Sequence, residues 1–77
     1  MSTVISTLDL SLYGCPMHYI KAREALGKIE KQQSLMFIVN NGEALKEIIA
    51  SLSQDGHHCD VEEQETLTTT IRVTKKL

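Results

Sequence analysis

The chain has 77 residues, enough for one small domain with a modest hydrophobic core. It is 42% hydrophobic and 23% charged, which is ordinary for a globular protein, and no apolar run approaches the roughly 20 residues that span a bilayer. The net charge of −2 argues against nucleic-acid binding driven by a positive field. Because no secretory signal is visible, we expect a cytoplasmic protein without membrane contact, whose thiols at Cys15 and Cys59 stay reduced.

The first predicted elements are a strand and an amphipathic helix. Leu8, Leu10 and Leu12 alternate with polar residues, as in a strand with one buried face. We expect residues 1–6 to form a loose N-terminus and residues 7–77 to form a single domain. The helix is predicted from Pro16 to Glu30, with Gly27 loosening its last turn. Its apolar stripe consists of Tyr19, Ala22, Leu26 and Ile29.

The middle of the chain predicts a central strand and a second helix. The apolar run Leu35–Val39 is typical of a strand covered on both faces. Asn40 and Asn41 both offer an N-cap, and if Asn40 is the cap, Glu43 completes a capping box. Gly56 marks the C-terminal end of the helix. The helix carries the stripe Leu45, Ile48, Ile49 and Leu52.

Two further alternating segments predict a terminal hairpin. Cys59 and Val61 share the core-facing side of one strand, and the other strand begins at Leu67, after an acidic turn around Glu63 to Glu65. The order β-α-β-α-β-β predicts an α/β (α+β) two-layer sandwich, with two helices on one face of a mixed four-stranded sheet. Met36 and Ile38 would lie on the other face, either as ordinary surface residues or as a small docking patch.

The segment with the clearest chemistry is Gly14-Cys15-Pro16-Met17-His18, between the first strand and the first helix. Pro16 fits the first position of a helix, which places Cys15 at or beside the N-cap. Unpaired N–H groups and the helix dipole stabilise a thiolate there, and the thiolate is the nucleophilic form of cysteine. Gly14 leaves room for a persulfide or a partner to approach.

The chain resembles the TusA/SirA family of sulfur-carrier proteins in several features taken together. These are Leu8-Asp9, Cys15-Pro16, Arg23, Leu26, the strand at 35–39 and Gly56-His57. The resemblance covers about residues 7 to 75 and implies that Cys15 carries sulfur as a persulfide. It also implies a cysteine desulfurase or rhodanese-type donor and a downstream acceptor protein. The acceptor pathways would be tRNA thiolation, cofactor biosynthesis or sulfur metabolism. His18 replaces the second proline of the family motif Cys-Pro-x-Pro, so the chain resembles a divergent branch.

Several residues near the motif have alternative interpretations. His18 is either a solvent-facing histidine or a hydrogen-bond donor that stabilises the Cys15 thiolate or persulfide. Lys21 and Arg23 form either a solvated helix face or a basic rim for partner docking. Cys59 is either a small core residue or a resolving thiol.

Other functional classes find less support. The spacing of Cys15, His18, His57 and Cys59 does not suit zinc, so we expect no metal and no other cofactor. RNA binding lacks a stacking platform, because only 4% of residues are aromatic. The main alternative is a regulatory or scaffolding module that binds protein, with Cys15 redox-sensing or incidental. Whether such a carrier is called an enzyme is partly a matter of definition, since it would act as one component of a sulfurtransferase system.

Overall fold

The computed structural model describes residues 3–14 and 17–76. These residues form four strands and two helices in the order β1 (Thr3–Asp9), α1 (Met17–Leu26), β2 (Gln33–Asn40), α2 (Glu43–Gln54), β3 (His58–Gln64) and β4 (Thr68–Thr74). The sheet order is β1-β2-β4-β3, with β1 parallel to β2 and both other pairs antiparallel. The predicted mixed sheet and two-layer sandwich are confirmed.

The core lies between β2, β4 and the two helices. Leu35, Phe37 and Val39 alternate along β2 and are buried on one side of the sheet. They pack with buried apolar residues of the other elements, namely Leu10, Ala22, Leu26, Ile48, Leu52, Ile71 and Val73. Such burial contributes about 1.5–3 kcal/mol for each large side chain, so this layer accounts for most of the favourable free energy of folding.

The opposite face of the sheet is more polar. Met36 and Ile38 are half-buried there, directly opposite Arg72 and Thr70 of β4. Because paired residues share a face, the predicted placement of Met36 and Ile38 away from the helices agrees with the register. Arg72 Nε lies 3.0 Å from Glu62 Oε1 of β3 across this face.

The first strand begins earlier than predicted. It covers Thr3–Asp9, so residues 3–6 belong to the sheet, and Leu12 lies in a turn beyond it with 83% of its surface exposed. The strand ends where Asp9 Oδ1 accepts hydrogen bonds from the backbone N–H and the hydroxyl of Ser11. These bonds turn the chain, so the inward prediction for Leu12 is wrong.

The C-terminal end of α1 differs from the prediction, whereas that of α2 agrees with it. Helix α1 stops at Leu26 rather than Glu30, because Gly27 and Lys28 continue in a turn whose N–H groups donate to Arg23 and Ala25. Helix α2 ends as predicted: Gly56 has φ 97°, its N–H donates to the Ser53 carbonyl, and the following N–H donates to Leu52. These two bonds define a Schellman motif.

The hairpin of β3 and β4 is confirmed, but two of its predicted core residues are exposed. Leu67 lies in the turn before β4 and is 77% exposed. Val61 lies on the edge strand β3, next to a register shift, and is 57% exposed. Cys59 on the same strand packs against the core and is half-buried, which supports its interpretation as a small core residue.

A matched pair of leucine truncations tests this core. Leu52→Ala removes a completely buried side chain of α2 and should lower the free energy of unfolding by about 2–5 kcal/mol. Leu12→Ala removes the same atoms from an exposed turn and should change it by less than about 0.5 kcal/mol. Urea unfolding followed by circular dichroism measures both, and equal losses would contradict this assignment of the core.

Candidate functional site

Cys15 and Pro16, the centre of the predicted site, lie outside the described residues. The residues on either side of them are described. Gly14 is exposed, and a Cβ added to it would meet no heavy atom within 4 Å. The backbone N–H of His18 donates to the Gly14 carbonyl at 3.1 Å, which is the i to i−4 spacing of an α-helix. Gly14, the first residue of the motif, therefore borders open space just before α1.

His18 is buried, which only one of its two predicted roles allows. Its side chain lies in the first turn of α1 with 2% of the residue surface exposed, so the solvent-facing interpretation is wrong. Neither ring nitrogen has a hydrogen-bond partner among the described residues. A buried imidazole normally donates or accepts at least one hydrogen bond, so His18 is a buried polar group whose partner the described residues do not supply.

Two asparagines at the end of β2 hold the loop that leads to the motif. Asn40 or Asn41 was predicted to cap α2, but the N-cap is Gly42, with φ 92° and no side-chain cap bond. The Asn40 Nδ2 group instead donates to the Ser11 carbonyl at 2.9 Å. Because Ser11 also bonds Asp9, the loop is attached to the sheet through both β1 and β2.

Asn41 attaches the turn between β3 and β4 to the same end of the sheet. Its Nδ2 donates to the carbonyls of Glu65 and Thr66 at 2.9 and 3.1 Å, and its backbone N–H donates to Leu67. The Thr69 hydroxyl donates to Asn41 Oδ1. We call this set of bonds made by Asn40 and Asn41 the asparagine clamp.

The asparagine clamp places exposed apolar side chains at the end of the sheet where α1 begins. Leu12 and Leu67 are the most exposed large hydrophobic residues in the described chain, and Tyr13 and Met17 are also exposed. Lys21 Nζ lies 5.7 Å from the centre of the Tyr13 ring, within range of a cation–π contact. Sequence periodicity missed this surface because it assigned both leucines to strands.

Lys21 and Arg23 do not lie together. Lys21 lines a groove of about 520 Å³ between α1 and β1. Arg23 lines a second pocket of about 350 Å³ with Asp55, His57 and Lys75. Residues two apart on a helix point in different directions, so a single basic rim formed by both is not supported by this geometry.

A contact beside the second pocket joins the two helices. Tyr19 Oη donates to Asp55 Oδ2 at 2.6 Å. This bond raises the pKa of Tyr19 above its usual value, because ionising the phenol would remove the donor and place two negative charges together. Tyr19 therefore ties α1 to the C-terminal end of α2.

Cys59 has the properties of a structural thiol. Burial raises the pKa of its thiol, outweighing the hydrogen bond from Ser53 Oγ, which lies 3.9 Å from the sulfur. In the register it lies beside Val73 and Leu35, about 16 Å along β2 from Asn40 and the asparagine clamp. No group of three or more histidine, cysteine or acidic side chains suited to a metal occurs within residues 3–14 and 17–76.

Comparison with solved structures supports the fold. The chain is similar to the crystal structure of a SirA-like protein from Desulfitobacterium hafniense, with a TM-score of 0.79 and 16% sequence identity. The match covers 95% of this chain and 100% of that chain. No curated protein sequence matches the chain. Neither helix in the described part is long and apolar enough to cross a membrane.

Two helices on one face of a mixed four-stranded sheet define a small two-layer α/β sandwich. The family model of sulfurtransferase TusA matches residues 6–75, a range that includes Cys15, Pro16 and His18. The chain therefore belongs to the TusA family of sulfurtransferases, as its resemblance implied.

The asparagine clamp can be tested by removing its donors. Asn41→Asp cannot donate to the Glu65 and Thr66 carbonyls and places a carboxylate against them. It should therefore lower the free energy of unfolding by about 1–3 kcal/mol. Gln54→Glu adds the same charge at an exposed position and should cost less than about 1 kcal/mol. Urea unfolding measures stability, and hydrogen exchange should show faster exchange at residues 65–67 in Asn41→Asp alone. The role of the clamp would be contradicted if both variants lost similar stability and hydrogen exchange at residues 65–67 stayed unchanged in Asn41→Asp.

Proposed function

We propose that the protein is a sulfur carrier that holds a transferable sulfur atom on Cys15 as a persulfide. The observation that carries this proposal is the TusA family match. It covers residues 6–75, nearly the whole chain, and includes the motif. The described residues around the motif support it, since Gly14 is open to solvent and Met17 is exposed. A partner protein could therefore approach the segment without unfolding of the core.

The transfer chemistry needs no oxidant or reductant. The Cys15 thiolate attacks the outer sulfur of a donor persulfide, forming a new S–S bond. The bond between the two donor sulfurs breaks, and the donor cysteine leaves as a thiolate. An acceptor nucleophile then attacks the outer sulfur on Cys15 and regenerates the Cys15 thiolate. Each step moves one neutral sulfur atom, so electrons balance between donor and acceptor.

His18 is the residue best suited to support this sulfur. It follows Cys15 by three residues, its ring is buried, and its nitrogens have no partner among the described residues. A neutral imidazole N–H that donates to the thiolate or persulfide anion would stabilise the charged form. Here His18 is a positioning and stabilising residue, and Cys15 is the nucleophile.

The proposed partners follow from the same chemistry. The donor is a cysteine desulfurase or a rhodanese-type protein, and the acceptor is a downstream protein in tRNA thiolation, cofactor biosynthesis or sulfur metabolism. A carrier requires no deep pocket at its cysteine, because the partner can supply the active site. An apolar contact surface for these partners is available at this end of the molecule, formed by Leu12, Tyr13, Met17 and Leu67. We propose that the transfer takes place in the cytoplasm.

Intact-mass measurement tests the carrier function. After incubation with a cysteine desulfurase and cysteine, or with a rhodanese and thiosulfate, we expect a gain of about 32 Da that a reductant removes. Cys59→Ser should retain the gain, since Cys59 is a half-buried thiol with a raised pKa, and Cys15→Ser should lose it. Absence of the added mass in the unmodified chain with both donor systems would favour the regulatory module instead. Addition that persists in Cys15→Ser would also overturn the proposal.

The role of His18 requires a readout that separates stabilisation of the sulfur from packing. In a Cys59→Ser background, His18→Leu should slow alkylation of Cys15 by iodoacetamide at neutral pH by about tenfold, equivalent to about 1.4 kcal/mol. His18→Gln retains an N–H donor and should restore part of the rate. Thermal unfolding identifies any general loss of structure. Equal alkylation rates in all three proteins would show that His18 only fills space.

A further inference from the structure

The two edges of the sheet differ in how they are protected against pairing with another strand. Edge strand β3 carries Asp60, Glu62 and Glu63 and a register shift after Val61. Edge strand β1 also has a register shift, but its sequence from Thr3 to Leu8 contains no charge. Charged side chains are a usual means of blocking a sheet edge, so β1 is the less protected edge.

The outer edge of β1 is also open in the described chain. Only β2 pairs with β1 among the described strands, and Val4 and Ile5 are both exposed. The 520 Å³ groove runs beside this edge, between β1 and α1. Its apolar lining includes Leu8, Leu10, Ala25, Ile29 and Leu35. A strand added to β1 would therefore meet unpaired backbone groups and an apolar surface together.

The charged side chains along the groove of one copy are complementary to those of a second copy of the chain. Lys21, Glu24 and Lys28 of α1 line it in the order positive, negative, positive. When two β1 strands pair antiparallel about a two-fold axis perpendicular to the sheet, the two α1 helices lie on the same face and run antiparallel. Glu24 of each copy can then face a lysine of the other, and no like charges oppose each other within residues 3–8.

We propose that two copies of this chain associate through β1, forming one continuous eight-stranded sheet. The contact involves a seven-residue strand and one helix per copy, so it belongs to the small, reversible class of interfaces. Antiparallel pairing leaves the two loops from Ser11 to Gly14 at opposite ends of the shared strand pair. The association is independent of the sulfur-carrier proposal, since it requires neither Cys15 nor a sulfur donor.

Sedimentation velocity with the full chain under reducing conditions tests the association, over about 5 to 500 μM so that mass action can shift the equilibrium. We expect the weight-average mass to rise from one toward two chains. Ile5→Lys introduces a charge on the open edge and should remain monomeric throughout. The matched control Val61→Lys changes an exposed apolar residue on the other edge and should associate like the unmodified chain.

Hydrogen exchange on the unmodified chain identifies the surface without relying on a variant. The amides of β1 should become more protected at the higher concentration, and those of β3 should not. A monomer at all concentrations would overturn the proposal. So would a dimer whose β1 amides gain no protection, or a folded Ile5→Lys protein that still associates. Protection of β1 only by a different protein would assign this edge to that partner instead.

Discussion

The packing of one side of β2 against both helices is the constraint on which the rest of the molecule depends. Leu35, Phe37 and Val39 occupy the middle of the sheet, and α1 and α2 bury Leu26 and Ile48 against the same layer. A domain of 77 residues has few alternative apolar contacts with which to replace these. The first turn of α1 is therefore held in place by side chains from several other elements of the core.

Hydrogen bonds then determine what surrounds that first turn. The asparagine clamp attaches the loop at Ser11 and the turn at residues 65–67 to the end of β2. Carbonyl groups in loops need donors, and an amide side chain provides two N–H groups where a carboxylate provides none. The amides at Asn40 and Asn41 thus bring two leucines, Leu12 and Leu67, to the surface that we propose as the contact for a sulfur donor or acceptor.

The sequence predicted the elements whose pattern repeats locally. The helical stripes, the β2 run and the glycine at the end of α2 are local signals, and the structure confirms them. The start of β1, the exposure of Leu67 and the bonds of Asn41 depend on residues more than twenty positions away. A turn that captures a side chain from another strand leaves no periodic signal, so alternation alone started β4 too early, at Leu67, and missed the beginning of β1.

Burial of His18 was the least predictable feature, and its free-energy cost supports a functional role. A buried polar side chain without a hydrogen bond costs about 1–3 kcal/mol. At about 0.05–0.15 kcal/mol per residue, the whole chain has about 4–12 kcal/mol of stability, so the penalty would be a large fraction of the total. An apolar residue at this position could fill the same space without that penalty. A buried polar ring three residues after Cys15 in the sequence is more readily explained if the proposed sulfur anion is its partner. Sulfur loading would then supply a hydrogen bond that the described residues do not provide.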